Sequence, residues 1–172
     1  MLSAMLHAIR APVIAAAALA GVLAAIPAAA SAAPPRCHTA DLSARVGAVD
    51  AGAGQRSAPL VLTNTSGHTC RTEGYVGLQL ATSSGQKLPT STSRLSGPTP
   101  VVTLKPGQKA VTQLQWTVVA TGREPADGAC EGTPSDLLVI APDETTQTSA
   151  RWRNGPVCAG GRFVISPLKK KG

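Results

Sequence analysis

Aromatic residues are scarce in this chain, which has two Trp, one Tyr and one Phe among 172 residues. Proteins that hold nucleic acid without reading its sequence stack bases on rows of rings. Tyr75, Trp116, Trp152 and Phe163 are too scattered to offer such a row, so nucleic acid is not an expected partner. Methionine is missing from the body, because Met1 and Met5 both lie at the very start. A thioether copper(I) site is therefore excluded there. Helical periodicity is missing as well: no segment of the body keeps an apolar 3.6-residue repeat for three turns, which excludes a helical bundle or coiled coil. Acidic groups number only 9, and no two stand out as the carboxylate pair of a glycoside hydrolase. No Gly-x-Ser-x-Gly elbow is present either. No catalytic residue can be named, and neither an enzyme nor a bound cofactor is expected.

What is present begins with an address. His7 and Arg10 stand in a short polar start, and Ala11 to Ile26 is apolar apart from Pro12 and Gly21. Pro27 breaks that stretch, and Ala30-Ser31-Ala32 follows as a small-x-small triplet. This order describes a secretory signal peptide over residues 1–32, cleaved after Ala32. The apolar stretch is too short and too Ala-rich for the roughly 20 residues of a membrane span. No stable membrane insertion is expected after cleavage, and the product is expected to be secreted. Pro34-Pro35-Arg36 before Cys37 does not fit a lipid-attachment site. Leu88-Pro89-Thr90-Ser91-Thr92 is only a faint sortase-like run with no apolar tail behind it. Asn64-Thr65-Ser66 is formally a glycosylation sequon, discounted because the Ala-rich leader resembles that of a high-GC bacterium.

The body, residues 33–172, is the right size for one domain with one core. It holds all four cysteines: Cys37, Cys70, Cys130 and Cys158. An even count in an exported chain reads as two disulfides. The favoured pairing is Cys37–Cys70 with Cys130–Cys158, because each then closes a local loop, of 33 and 28 residues' separation. Cys37–Cys130 with Cys70–Cys158, a pair of inter-sheet staples, is the alternative. No Cys-x-x-Cys spacing supports a zinc site.

Short apolar runs alternate with turn residues along the body. Ala44, Val46 and Ala48 alternate with their neighbours, as do Val76, Leu78 and Leu80. Leu60-Val61-Leu62-Thr63 ends in an Asn-Thr-Ser-Gly turn signal. Val101 to Leu104 leads into Lys105-Pro106-Gly107-Gln108, a turn with Pro and Gly at its centre. Thr112, Leu114, Trp116 and Val118 give the cleanest period of two. Leu137 to Ile140, Thr145 to Trp152 and Phe163 to Ile165 complete the set. Some seven or eight short strands with turns between them indicate an all-β, two-sheet antiparallel sandwich. Trp116, Leu114, Leu62 and Leu78 are its expected core residues. Ser83 to Pro100, rich in Ser, Thr, Pro and Gly, reads as a long exposed loop. It would serve as the contact segment if the chain inhibits or partners another secreted protein, such as a protease.

Charge is unbalanced. Lys and Arg number 16 against 9 acids, for a net +7. Only Arg10 lies in the leader, so the body keeps +6. Arg151, Arg153 and Arg162 lead to Lys169-Lys170-Lys171, a basic end suited to anionic cell-envelope polymers. The bland reading is a solvated, solubilising tail. His38 follows Cys37, and His68 stands two before Cys70. A Cys37–Cys70 bridge would bring these two imidazoles into one neighbourhood, as a candidate weak copper or zinc pair. Two exposed polar residues beside a disulfide would look the same.

Several of these features occur together in a known pattern. Leu60-Val61-Leu62-Thr63-Asn64-Thr65-Ser66, then His68-Thr69-Cys70 and Gly74-Tyr75, then Leu104-Lys105-Pro106-Gly107, resemble the DUF4232 domain found in secreted proteins and lipoproteins of actinobacteria. The likeness spans about Cys37 to Pro167. It implies an immunoglobulin-like sandwich and export. It carries no catalytic residue, since the family has no assigned general function. Tyr75-Val76 departs from the Gly-Tyr-Pro or Gly-Phe-Pro often seen in the family.

Overall fold

Alternation decides the two longest strands. In β3 (Gln55–Asn64) Ala58, Leu60, Leu62 and Asn64 are buried, and in β8 (Lys109–Thr117) Ala110, Thr112, Leu114 and Trp116 are. These strands pair antiparallel over nine positions, with Ala58 opposite Leu114 and Leu62 opposite Ala110. Small faces large at each step, which lets the inner surface interdigitate without voids. Each buried Leu contributes about 2 kcal/mol by leaving water.

A computed structural model describes residues 32–122, 124–125, 130 and 132–172. The chain divides into two units, Met1–Ala32 and Ala33–Gly172, and all the described strands belong to the second. The signal peptide expected over residues 1–32 lies, Ala32 apart, outside the described residues.

The remaining strands are β1 (Leu42–Val46), β2 (Asp50–Gly52), β4 (Cys70–Thr72), β5 (Gly77–Ala81), β6 (Ser91–Arg94), β7 (Val102–Leu104), β9 (Asp136–Ile140), β10 (Thr148–Arg151), β11 (Arg162–Ile165) and β12 (Lys169–Lys170). The large sheet runs β1-β3-β8-β11-β6, with β2 also on β3 and β12 also on β8. A three-stranded sheet runs β10-β9-β5, and β4 pairs with β7. Side chains from all three sheets meet in one core. The chain is thus an all-β, sandwich-like domain. The twelve strands exceed the seven or eight expected, because β2, β4, β6 and β12 are two to four residues long and carry no period. One pair, β6 with β11, is parallel in an otherwise antiparallel arrangement.

Pro59 lies within β3, where a missing N–H should break a ladder. It falls between the segment paired with β2, which ends at Ser57, and the segment paired with β1, which starts at Leu60. The Pro59 carbonyl still accepts from Gly47 N–H at 2.8 Å. The strand therefore continues through Pro59.

Trp116, Trp152 and Phe163 form a tilted and edge-on cluster with centroids 5.0 to 6.1 Å apart. It links β8, β11 and the end of β10, and the three rings fill space that a chain poor in aromatics fills nowhere else. Trp152 Nε1–H donates to the Gly155 carbonyl at 2.8 Å. Trp116 Nε1 has no hydrogen-bond partner among the described residues. Leu114 and Leu62 are fully buried, whereas Leu78 is half-buried and packs at the core's margin. In β5 the inward alternation begins late, with Leu80 and Ala81 buried and Gly77 to Gln79 half-buried.

Candidate functional site

Asn64 organises the first polar centre. It is 0% exposed, and its Nδ2 donates to the carbonyls of His68 (2.8 Å) and Leu104 (2.9 Å). Its Oδ1 accepts from Ser66 N–H and Ser66 Oγ–H. A short polar side chain that bonds backbone two residues on is the usual reason for Asn in a turn. Here it also ties that turn to β7. The sequon Asn64-Thr65-Ser66 is consequently sealed, with its amide nitrogen committed inside the fold.

Beside this turn lies the Cys37–Cys70 disulfide, with Cα atoms 4.9 Å apart. Cys37 N–H donates to Arg71 O and Arg71 N–H to Pro35 O, so the bridge runs alongside a hydrogen-bonded ladder. The two imidazoles are exposed and turn to different carboxylates. His38 Nδ1 lies 3.0 Å from Glu144 Oε1, and His68 Nε2 lies 3.7 Å from Asp41 Oδ2. Asp41 Oδ2 also accepts from His38 N–H at 2.9 Å. Among the described residues, His38 and His68 do not belong to any convergent set of three or more ligand-type side chains.

The one such set among the described residues is Glu124, Cys130 and Cys158. Both cysteines are consumed in the Cys130–Cys158 disulfide, so they offer no thiolate to a metal. Glu124 has another role. Ala159 (φ 56°, ψ 45°) and Gly160 (φ 68°, ψ 34°) adopt left-handed backbone just after Cys158. Successive residues of this kind aim their N–H groups at one point, forming an anion nest. Ala159 N–H donates to Glu124 Oε2 at 3.0 Å and Gly160 N–H to Oε1 at 2.9 Å. Thr121 N–H and Oγ–H add two more bonds. The Gly160 and Thr121 backbone bonds hold the carboxyl down, at about 2, against the opposing desolvation. Thr121 is a local partner, but Ala159 and Gly160 are 35 and 36 residues away and donate through backbone, so no side-chain motif announces their half of the clamp.

The basic residues do not form one tail. Lys169 and Lys170 pair with Val111 and Ala110 as β12, and Lys171 N–H donates to Lys109 O. Leu168, fully buried, anchors that end. Arg162 opens β11 near Gln55 and Gln115. Arg151 and Arg153 lie elsewhere, beside Arg45 of β1 and Asn154, around a cleft of about 380 Å³ that Ala44 and Val46 also line. Among the described residues, only Arg36 (to Asp143, 2.7 Å) and Arg151 (to Asp136, 3.8 Å) form Lys or Arg ion pairs. Arg45 and Asn154 carried little sign of this role in the sequence. The available signal was Arg45 between two inward residues, Ala44 and Val46.

The expected loop Ser83–Pro100 needs a correction. Ser91–Arg94 within it is β6, an edge strand parallel to β11 and exposed at every residue. Because neither face is buried, Ser-Thr-Ser-Arg shows no alternation. The Tyr75 hydroxyl donates to Leu95 O at 2.6 Å, and the Arg94 guanidinium stacks 5.1 Å from the Tyr75 ring centre.

Sheets, core and staples together define a disulfide-bonded all-β domain. Residues 37–169 match the family model described as a domain of unknown function, DUF4232, and the chain belongs to that family. No curated protein and no solved structure gives a significant match to it. No helix among the described residues is long and apolar enough to cross a membrane.

Proposed function

We propose that this chain is an exported, non-catalytic binding domain whose partners are anionic polymers of the cell envelope. The observation that carries the reading is uncompensated charge. The body holds 15 basic residues against 9 acids, and all but two of its described Lys and Arg residues lack a carboxylate partner. Unpaired surface cations attract polyanions over a Debye length, about 10 Å at 0.1 M salt. Two disulfides suit an oxidising compartment, and the segment before Ala33 reads as an export signal. An inhibitor reading has less support, because the segment it would use is partly committed to β6 and pinned by Tyr75. Metal capture by His38 and His68 has less support too, since their rings face separate carboxylates.

Two measurements test the proposal. The protein secreted by a host should begin at Ala33 on N-terminal sequencing. It should also bind an immobilised polyanion at low salt and elute as salt rises. Retention that ignores salt, or no retention at all, contradicts the reading.

A further inference from the structure

We infer that the cleft between β1 and β10 is a binding site for phosphate esters of a polyol or sugar chain, with Arg45, Arg151 and Arg153 as its anion-binding residues. The inference rests on the polyanion reading above and names its site and ligand class.

The placement follows from alternation. Ala150 and Trp152 are buried, so Arg151 and Arg153 emerge together on the opposite, outward side. Leu42 is buried and Ala44 and Val46 pack on the core, so Arg45 is outward on β1. β1 is an edge of the large sheet and β10 an edge of the three-stranded one. β1 approaches β10, and Arg45, Arg151 and Arg153 line the one cleft between them.

The supports are rigid. Trp152, between the two arginines, is fixed by the ring cluster, by its Nε1 bond to Gly155 and by its backbone N–H to Ser135 O at 2.8 Å. Asp136, 3.8 Å from Arg151, holds one guanidinium from the side while leaving it 64% exposed.

The chemistry selects the ligand. Guanidinium presents planar, paired N–H groups that match phosphate oxygens bidentately. Asn154 offers an amide that both donates to and accepts from a hydroxyl. Ala44 and Val46 add apolar atoms to the cleft lining. A volume of about 380 Å³ exceeds a bare phosphate and falls within the usual range of small-ligand sites.

The lysines of β12 present a contrasting case. Lysine on an exposed edge strand is a standard defence against strand-to-strand association, so Lys169 and Lys170 are accounted for without a ligand. Arg45 and Arg151 also stand on edge strands, but Arg153 stands outside any strand, and unlike the lysines the three line one cleft together with Asn154.

The test is a titration of the secreted protein with soluble poly(glycerol phosphate) at low salt. Binding should be saturable. R45A/R153A should weaken it at least tenfold with an unchanged melting temperature. R45K/R153K, which keeps charge and loses the forks, should weaken it at least threefold. K169A/K170A/K171A should stay within threefold of the parent. If the lysine variant loses as much as R45A/R153A, or the arginine variants lose nothing, the cleft assignment is overturned while polyanion binding stands. Equal binding of hyaluronate, a carboxylate polymer, overturns the phosphate class. Binding to phosphatidylglycerol vesicles in place of the soluble polymer overturns the polymer as the source of the phosphate. If the parent binds no polyanion, the underlying reading falls as well.

Discussion

The two disulfides close loops of nearly equal length yet do different work. Cys37–Cys70 lies inside the core cluster, next to Leu104 on β7 and alongside the Arg36–Arg71 bridge. Cys130–Cys158 joins a connection between β8 and β9 to a left-handed turn, and a carboxylate clamp shares its task. The first covalent link is laid over a ladder that hydrogen bonds already build. The second ties down a left-handed turn that the Glu124 carboxylate also holds. Loop length therefore does not rank the two, whereas packing around the sulfurs does.

The largest predicted effect breaks that comparison directly. Loop closure gives about 3.6 kcal/mol for either bond. All four cysteines are buried, but only Cys37 and Cys70 belong to the central hydrophobic cluster, so C37A/C70A should lose more packing, by about 1 kcal/mol. Equilibrium unfolding should therefore rank C37A/C70A below C130A/C158A in stability.

Near the first staple, Asn64→Ala should cost about 2–3 kcal/mol, because it strands the buried Leu104 carbonyl and loses the part-buried bond to the His68 carbonyl. Near the second, Gly161→Ala should cost about 2–3 kcal/mol. Its φ is 69°, and an added Cβ would run into the Pro89 carbonyl. Denaturant midpoints check both.

The smallest effect is a pH dependence. The Glu124 carboxyl is more acidic in the folded chain than in the unfolded one. Its contribution is therefore whole above about pH 4.5 and is lost as pH falls towards about 2. Glu124→Gln should flatten that part of the stability curve. An unchanged acid profile would remove the clamp from the account.

Much of this comparison was legible in the residues, though unevenly. β8 shows its buried face as a clean period of two, while β3, β9 and β11 stand out as short apolar runs that each bury one face. Both disulfide pairs follow from local loop closure, and the Lys105-Pro106-Gly107-Gln108 turn forms as its composition dictates, with Gly107 at φ 78°. β6 and β12 were hidden because both are exposed edges whose polar residues look like loop or tail. The basic end dispersed for a related reason: Arg151, Arg162 and Lys169 are near in sequence but begin or end different strands. The cleft needed Arg45, more than a hundred positions earlier, which only the approach of β1 to β10 supplies. The Glu124 nest rests on left-handed φ at Ala159, a residue type that seldom signals it.

Hydrogen exchange on C130A/C158A tests the contrast between a core staple and a rim staple most directly. Faster exchange should be confined to Thr121, Ala159, Gly160 and their neighbours, while the paired amides of β3 and β8 keep the parent's protection. Uniform loss of protection across β3 and β8 would contradict the account, because it would place the second disulfide in the same cooperative core as the first.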